Sequence, residues 1–123
     1  MSKHDNKITG SSGEKKAVQY LKSNGFIILE TNFSTDIGEI DIIAASGDTL
    51  VFIEVKTRKT IAFGFPSEAV DYRKQNKISM VASQYIKKRM MYGVKIRFDV
   101  IEIILDEIKI NHYENAFNSY LKY

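Results

Sequence analysis

Two apolar runs carry acidic residues inside their hydrophobic pattern, and this feature limits the fold more than any other. The first run spans residues 38–43 and the second spans residues 51–56. Both are rich in β-branched residues, which favour strands, and the Ser-Gly-Asp sequence between them is typical of a tight turn. The pattern therefore predicts an antiparallel hairpin with strands at about 39–45 and 49–57.

The acids of the hairpin are expected to lie within the sheet. Side chains alternate along a strand, so Glu54 and Lys56 share one face of the second strand. For the first strand, the alternation predicts one face with Glu39, Asp41 and Ile43 and the opposite face with Ile40 and Ile42. A suitable register would place Asp41 beside Glu54. Burying unpaired charge is costly, so these acids require a partner such as a metal ion.

The remaining elements complete an α/β chain. The periodicity predicts helices at about 12–23 and 67–89 and further strands at about 26–32, 94–105 and 108–113. A capping box from Ser11 to Glu14 would open the first helix, and Ser67 would cap the second, with Glu68 and Asp71 in its first turn. The second helix is long enough for a parallel crossover between the third and fourth strands.

We therefore predict an α/β fold with a mixed five-stranded sheet flanked by helices, in the order α-β-β-β-α-β-β. Residues 1–10 lack periodicity and are expected to form a flexible arm, whereas residues 11–123 are expected to form a single domain. The tail from residue 115 could hold one short helical turn.

Composition and missing motifs narrow the chemistry. The 123-residue chain has no cysteine, which excludes disulfides, thiolate zinc sites and thiol nucleophiles. It has no phosphate-binding loop, dinucleotide fingerprint, serine-hydrolase elbow or zincin motif. No run approaches the roughly 18 apolar residues of a membrane span, and the N-terminus is polar, so a cytoplasmic protein without membrane contact is expected.

Oxygen ligands and a lysine remain as the means of catalysis. Asp41 and Glu54 suit Mg²⁺ or Mn²⁺, which prefer carboxylate oxygens. Lys56 could then orient a bound water or stabilise charge that develops on a phosphate. Glu14 shares the buried face of the first helix, which makes it a further candidate, although it could also do no more than complete the capping box.

Basic residues suggest a phosphate-rich partner. The formal net charge is +3, and the candidates for nucleic-acid binding are Arg58, Lys59, Arg73, Lys74 and Lys77. A solvated helix face is an equally good interpretation of the helical members. Helical spacing places Lys74 on the side that faces the sheet, where it could reach a ligand.

Three features stay open at this point. The aromatic residues of the loop at 63–65 could stack on bases or cover the edge of the core. Glu39 and Asp99 could lie beside the site or could be ordinary surface or edge residues.

The candidate residues resemble the Glu…Asp…Glu-x-Lys pattern of the PD-(D/E)xK nuclease superfamily, with Glu14, Asp41, Glu54 and Lys56 at the matching positions. Their order and spacing are similar to those of archaeal Holliday-junction resolvases. A closer resemblance, over about residues 10–117, is to the bacterial YraN family; it is carried by residues 13–14, 38–41, 51–58, 63–64, 74–77 and 97–100.

The resemblance implies a restriction-endonuclease-like core in which Asp41 and Glu54 bind the metal, Lys56 assists the water and Glu14 completes the site. The leading hypothesis is a Mg²⁺- or Mn²⁺-dependent endonuclease that hydrolyses DNA phosphodiester bonds, with branched or repair intermediates among its candidate substrates. The alternatives are a non-catalytic nucleic-acid-binding module on the same scaffold and an adaptor for another protein. Pairing into a homodimer, as in junction resolvases, is left open.

Overall fold

The computed structural model describes residues 3–59 and 71–118, with side chains from residue 12 onward. Its elements are α1 (Lys3–Ser23), β1 (Ile27–Ser34), β2 (Glu39–Ser46), β3 (Thr49–Arg58), α2 (Tyr72–Lys88), β4 (Lys95–Ile104) and β5 (Lys109–Phe117). The predicted α/β class and the order α-β-β-β-α-β-β are confirmed. The predicted division into a flexible arm and one domain stays a prediction.

The five strands form one mixed sheet in the order β1-β2-β3-β4-β5. Strands β2 and β3 form the predicted antiparallel hairpin, with Ser46 opposite Thr49 across a turn in which Gly47 has a φ of 58°. Strands β3 and β4 are parallel, because the chain crosses over through α2 between them. The strand that carries Glu54 is therefore central, as its two apolar faces predicted.

Each face of the sheet is covered by one of the described helices. On β3, Leu50 and Phe52 pack in the cluster that includes α2, whereas Val51 and Ile53 pack in the cluster that includes α1. All four side chains are at most 3% exposed. Burying a side chain of this size contributes about 1.5–3 kcal/mol. The two clusters thus hold both helices against the strand that bears the acids.

The start of α1 differs from the prediction. The helix begins at Lys3, so the predicted start near residue 12 is wrong and the Ser11-to-Glu14 spacing lies inside the helix. Residues 3–9 contain no Gly or Pro, the residues that most strongly end a helix. The capping pattern therefore did not mark a boundary here.

Two other boundaries also needed correction. Helix α2 begins at Tyr72, and its N-cap is Asp71, whose Oδ1 accepts a hydrogen bond of 2.9 Å from the Lys74 amide. The predicted cap Ser67, Glu68 and the aromatic loop at 63–65 lie outside the described residues. Strand β5 continues to Phe117, so the helical turn predicted from residue 115 is wrong over its first three residues.

The longer β5 follows from one backbone irregularity. Asn115 has a φ of 52°, a left-handed conformation that Asn tolerates better than most residues. The pairing with β4 shifts between Phe98 and Val100 and resumes with Phe98 opposite Phe117. The two phenylalanine rings stack with centroids 5.0 Å apart. The break in alternation at Asn115 is what ended the predicted strand early.

Gly13 sets the closest approach between α1 and the sheet. It is buried, and a Cβ at this position would collide with the Oγ1 of Thr57 on β3 and come within 3.1 Å of the Thr57 Cβ. Glycine is otherwise unfavourable inside a helix by about 1 kcal/mol. Close packing against β3 is therefore the physical reason for a glycine here, and it brings the adjacent Glu14 to the end of β3.

Gly13→Ala should destabilise the protein although alanine favours helices. The gain in helix propensity is about 1 kcal/mol, whereas overpacking a tight contact costs about 1–3 kcal/mol. We expect a net fall in the free energy of unfolding, measured by urea denaturation. Adding Thr57→Ala, which removes the colliding oxygen, should recover part of the loss. A Gly13→Ala protein more stable than wild type would contradict this packing.

Candidate active site

The pairing between β2 and β3 ends at the position of Asp41. The ladder runs regularly from Ser46 opposite Thr49 to Ile42 opposite Ile53, and one further step would pair Asp41 with Glu54. Instead, Asp41 Oδ2 accepts a hydrogen bond of 2.8 Å from the Val55 amide. A side-chain carboxylate thus takes the place of a backbone acceptor. This register brings Asp41 beside Glu54, as the sequence pattern would require for the two acids to act together.

The predicted faces of β2 are partly wrong at this point. Ile40 packs in the α2-side cluster together with Ile43, whereas Ile42 packs in the α1-side cluster. Ile40 and Ile42 were predicted to share a face. The pleat that fixes alternation depends on ladder hydrogen bonds, and β2 loses those to β3 at Asp41. The irregularity therefore coincides with the first acid of the site.

Glu54 is a buried carboxylate with one oxygen unsatisfied. Its exposure is 5%, and its Oε2 lies 3.5 Å from Lys74 Nζ, while Oε1 is buried and has no hydrogen-bond partner in the structure. Burial raises the pKa of Glu54, the charge of Asp41 raises it further, and Lys74 and Lys56 oppose the shift, which leaves the pKa at about 7. An unpartnered buried oxygen beside a second acid fits a cation.

Asp41 has a similar environment. Burial raises its pKa, and Glu39 adds to the shift, although the Val55 hydrogen bond and the charges of Lys74 and Lys56 lower it. The net direction is upward. Both carboxyls are therefore held in surroundings that disfavour their negative charge, which is the condition that a divalent cation relieves.

Two lysines face the acids, and their pKa values move apart. Burial lowers the pKa of Lys56, and the hydrogen bond and charge of Lys74 lower it further against the attraction of Glu54 and Asp41. Burial also lowers the pKa of Lys74, but the hydrogen bond with Lys56 and the charges of Glu54 and Asp41 outweigh it, so the pKa rises. Burial thus disfavours the charge on Lys56, whereas the neighbouring acids favour the charge on Lys74.

Glu14 reaches the site from α1. Partial burial raises the pKa of Glu14, and so does the charge of Asp41, while a hydrogen bond with the Asn32 side chain lowers it. Glu39 adds a weaker repulsion and is itself exposed, with Ser34 Oγ 3.4 Å from its Oε2. The structure therefore brings Glu14, Asp41, Glu54 and Lys56 to one end of the sheet.

The predicted nucleic-acid-binding residues do not form one surface. Lys74 lies inside the site, with its Nζ 3.5 Å from Glu54 Oε2, on the sheet-facing side where helical spacing had placed it. Arg58 Nε lies 3.0 Å from Glu102 Oε2, and Glu102 is 7% exposed, so this arginine neutralises a buried acid. The remaining three are exposed to solvent: Lys59, Arg73 and Lys77.

Asn32 was missed by sequence reasoning. It lies within β1 and has a φ of 52°, and it directs its amide to Glu14. The signal that could have found it is an Asn at the end of the predicted strand, because Asn is the non-glycine side chain that most readily accepts a left-handed backbone.

Asp99 belongs to a second polar cluster on the α1 side, separate from the acids. It is fully buried and accepts two hydrogen bonds of 2.9 Å from Arg97, one of 2.9 Å from the Asn115 amide and one of 2.7 Å from His112 Nε2. The other ring nitrogen of His112 lies 3.0 Å from the Tyr20 hydroxyl of α1.

These contacts decide the state of the Asp99 carboxyl. Burial alone would raise its pKa, but the hydrogen bonds from His112, Arg97 and the Asn115 amide outweigh burial and lower it. Asp99 is thus a fully partnered structural anion that ties β4, β5 and α1 together. This answers the question that sequence left open about its position.

Among the described side chains, two acids are available as metal ligands, and they do not supply a complete coordination sphere. No group of three or more His, Cys, Asp or Glu side chains among them is placed to hold one ion. Mg²⁺ is commonly held by one or two carboxylates together with waters and substrate phosphates, so Asp41 and Glu54 match its usual donor set.

Comparison with known proteins gives the family. The model of a family described as "Uncharacterised protein family UPF0102" matches residues 13–103. This chain belongs to that family. UPF0102 is the YraN-type group, so the family predicted from sequence is confirmed. The match includes all four candidate residues.

Its relatives are similar over almost their full length. A UPF0102 protein of Clostridioides difficile strain 630 is 53% identical over 113 residues, which are 92% of this chain and 99% of the relative. One from Caldanaerobacter subterraneus subsp. tengcongensis is 48% identical over 122 residues, 95% of this chain and 100% of the relative.

Among solved structures, Pyrococcus furiosus SfsA in complex with Ca²⁺ aligns with a TM-score of 0.36 and 14% identity, over 89% of this chain and 63% of SfsA. That likeness is too weak to support a conclusion. Within the described residues, no helix is both long enough and apolar enough to cross a membrane.

Glu54→Gln should stabilise the protein at alkaline pH. A raised pKa means that the folded state keeps its proton while the unfolded state loses it, so stability falls from about pH 4.5 to about pH 7 and is level above. Removing the charge should raise the free energy of unfolding by about 1–3 kcal/mol at pH 8. The gain should disappear at pH 4.5, and urea denaturation at both values measures it. An equal change at both pH values would contradict the buried charge.

Asp99→Asn should destabilise the protein strongly, because it removes the buried counter-charge of Arg97 and leaves only the exposed Glu114, 3.8 Å from Arg97 Nη2. Removing one partner of a buried ion pair costs about 3–5 kcal/mol. The matched control is Asp48→Asn, which breaks the exposed 3.0 Å pair with Lys95 and should leave the urea midpoint unchanged. Equal losses of stability in the two variants would show that Asp99 does not form a stabilising buried ion pair.

Proposed function

We propose that this protein is a metal-dependent nuclease that hydrolyses phosphodiester bonds at Asp41, Glu54 and Lys56. The observation that carries the proposal is the buried Glu54 carboxyl, with a pKa of about 7 and an unpartnered Oε1, beside a second acid and two lysines. A purely structural acid has no use for an unsatisfied oxygen. Perturbed acids and a perturbed lysine in one cluster are typical of catalytic sites.

Asp41 and Glu54 would hold the cation, Mg²⁺ or Mn²⁺. When bound there, such an ion polarises a phosphoryl oxygen and lowers the pKa of a water molecule. Asp41 is fixed for this task because its Oδ2 already accepts the Val55 amide, which sets the orientation of the carboxylate.

Lys56 acts on the attacking water. Burial lowers the pKa of Lys56, which favours loss of its proton, and in the proposed reaction its amine accepts a proton from the water as the oxygen attacks phosphorus. The new P–O bond forms as the bond to the leaving sugar oxygen breaks, and that oxygen takes up a proton from solvent. The products are a phosphomonoester and a free hydroxyl group.

Lys74 keeps its charge throughout. Its pKa is raised, so it remains an ammonium group 3.5 Å from Glu54 Oε2 and within reach of negative charge that develops on the phosphoryl oxygens. The two lysines thus divide the work into a base and an electrostatic stabiliser. Glu14 completes the acidic cluster from the α1 side.

The resemblance of these residues to the PD-(D/E)xK pattern supports hydrolysis of DNA as the first activity to test, with branched and repair intermediates among the substrates. A homodimer that presents two such sites to a branched DNA is part of the same proposal.

A second candidate is a non-catalytic nucleic-acid-binding module. The observation that favours it is the ion pair between Lys74 and Glu54, which partners one oxygen of Glu54 without any metal. In this case the acids and lysines would form a structural network. Salt-dependent DNA binding without metal-dependent cleavage would select this candidate.

The proposed nuclease activity predicts which substitutions should reduce DNA cleavage and metal binding. With Mn²⁺ or Mg²⁺, wild-type protein should cleave labelled single-stranded or branched DNA, and Lys56→Ala should reduce the rate by about 10²–10⁴, the range of general acid-base catalysis. Asp41→Asn should abolish both cleavage and the heat of Mn²⁺ binding in calorimetry. Because the pKa of Glu54 is about 7, Mn²⁺ affinity should rise between pH 6 and pH 8 as Glu54 loses its proton.

The control is Asp48→Asn, an exposed acid at the far turn of the hairpin, which should cleave and bind Mn²⁺ like wild type. Full cleavage by both Asp41→Asn and Lys56→Ala would reject the proposal.

A further inference from the structure

An open groove of about 420 Å³ runs between α1 and β1 and begins at Glu14. Its walls include Glu14, Lys15, Gln19, Lys22, Thr31 and Asn32. Apart from Glu14 and its partner Asn32, none of these residues takes part in the proposed reaction. The groove therefore extends the acidic cluster along α1 toward its C-terminal end.

Two lysines line this groove on one side of α1. Lys15 and Lys22 are both exposed, and neither forms an ion pair with another described side chain. They are separated by two helical turns, about 10.5 Å along the axis. Lysines at this separation can contact different phosphates of one strand, because each nucleotide of a nucleic-acid strand carries a phosphate.

Several other basic residues among those described have carboxylate partners instead. Ion pairs in the structure engage Arg58, Arg89, Lys95 and Arg97. Lys15 and Lys22 thus combine a position in the groove with an ammonium group that has no carboxylate partner among the described side chains. Exposed lysines on a convex face would give no comparable path.

Apart from Val18, the rest of the lining is polar, and none of it is aromatic. Gln19, Thr31 and Asn32 present hydrogen-bonding groups, and no aromatic side chain is among the residues that line the groove. Sequence-tolerant binding of bases usually relies on aromatic stacking. This groove is therefore suited to phosphates and sugars, which position a strand without reading its sequence.

We propose that the groove binds a single strand of nucleic acid through its phosphates and leads that strand to the acids beside Glu14. The volume lies low in the range of ligand sites, and one helix and one strand form the walls, so the groove admits a few nucleotides of one chain and not a duplex. The inference rests on the proposed function for the role of the acids. It goes further by naming the form of the substrate.

The first test measures binding without cleavage. A fluorescent single-stranded DNA is titrated with protein in buffer that contains EDTA, and anisotropy is followed at several salt concentrations. Lys15→Gln with Lys22→Gln should weaken binding at least tenfold at low salt and lower the salt slope by about 1.4, since each phosphate contact on a single strand contributes about 0.7.

The control matches the change in charge. Lys16→Gln with Lys109→Gln also removes two exposed lysines, but neither lies in the groove. It should weaken binding less than threefold. Equal losses in the two double variants would overturn the proposal, because net charge alone would then explain binding. A loss confined to duplex DNA would overturn it as well.

Repeating the titration with an RNA strand of the same sequence tests whether the bound strand is DNA or RNA. Equal losses with RNA and DNA support recognition through phosphates alone, and a loss with one of them identifies that strand as the ligand. Both results support the groove.

The second test locates the strand without changing a lysine. The chain has no cysteine, so Gln19→Cys introduces a unique thiol into the groove. Single-stranded DNA should slow the reaction of this thiol with a maleimide at least fivefold. It should not change the rate at which a thiol introduced by Lys109→Cys reacts. An unprotected thiol at position 19 under saturating DNA would place the strand elsewhere.

The two proposals fail separately. Metal-dependent cleavage with an unprotected groove thiol would reject the groove and keep the nuclease. Protection and lysine-dependent binding without any cleavage would keep the groove and reject hydrolysis.

Discussion

The hydrogen bond from the Val55 amide to Asp41 is the interaction on which the site depends. Without it, the Val55 amide would be a buried donor at the end of a ladder, and such groups are costly when left unpaired. With it, β2 can leave the ladder while β3 continues beside β4. One carboxylate thus ends the pairing of two strands and stands next to Glu54. Structural and chemical roles coincide in Asp41.

The charges around this hydrogen bond come close to cancelling. Two acids on neighbouring strands face Lys56 from β3 and Lys74 from α2, and each group shifts the pKa of the others. The cost of burying Glu54 is borne by the packing of the two apolar clusters on either side of the sheet. Active sites commonly hold such unfavourable groups, and their stability comes from the surrounding structure.

The sequence predicted the strands and their order along the chain because period-two alternation and the turn at Gly47 are local signals, but it left the register between Asp41 and Glu54 open. The same alternation singled out Asp41, Glu54 and Lys56, whereas Glu14 was proposed from helical spacing and from the resemblance to the PD-(D/E)xK pattern. The sequence could not place Lys74 on Glu54, since that contact depends on how α2 crosses the sheet. It also missed the left-handed backbone at Asn32 and Asn115, and it ended β5 early at the second of these. Both residues depend on tertiary contacts that override the local pattern.

The start of α1 shows the opposite limit. A capping box is a pattern of four residues, and it did not mark the start of this helix, which runs through residues 3–11 and includes Gly10. Arg58 is a related case. Its place after an acidic strand suggested a phosphate contact, yet it pairs with Glu102, an acid 44 positions later in the chain. Charge on a sequence does not tell which charges already have partners.

Helix α1 is attached to the sheet at two points on one side. Gly13 packs against Thr57 of β3, and Tyr20 contacts His112 of β5, two helical turns further along. Contacts at two separated points prevent the helix from rotating about its axis or sliding along it. The carboxylate of Glu14 and the wall of the groove are therefore preorganised, and a ligand that binds there loses little of the protein's conformational entropy. If the proposed groove binds a ligand, side chains of β5 that are remote from the acids would influence its affinity through the position of α1.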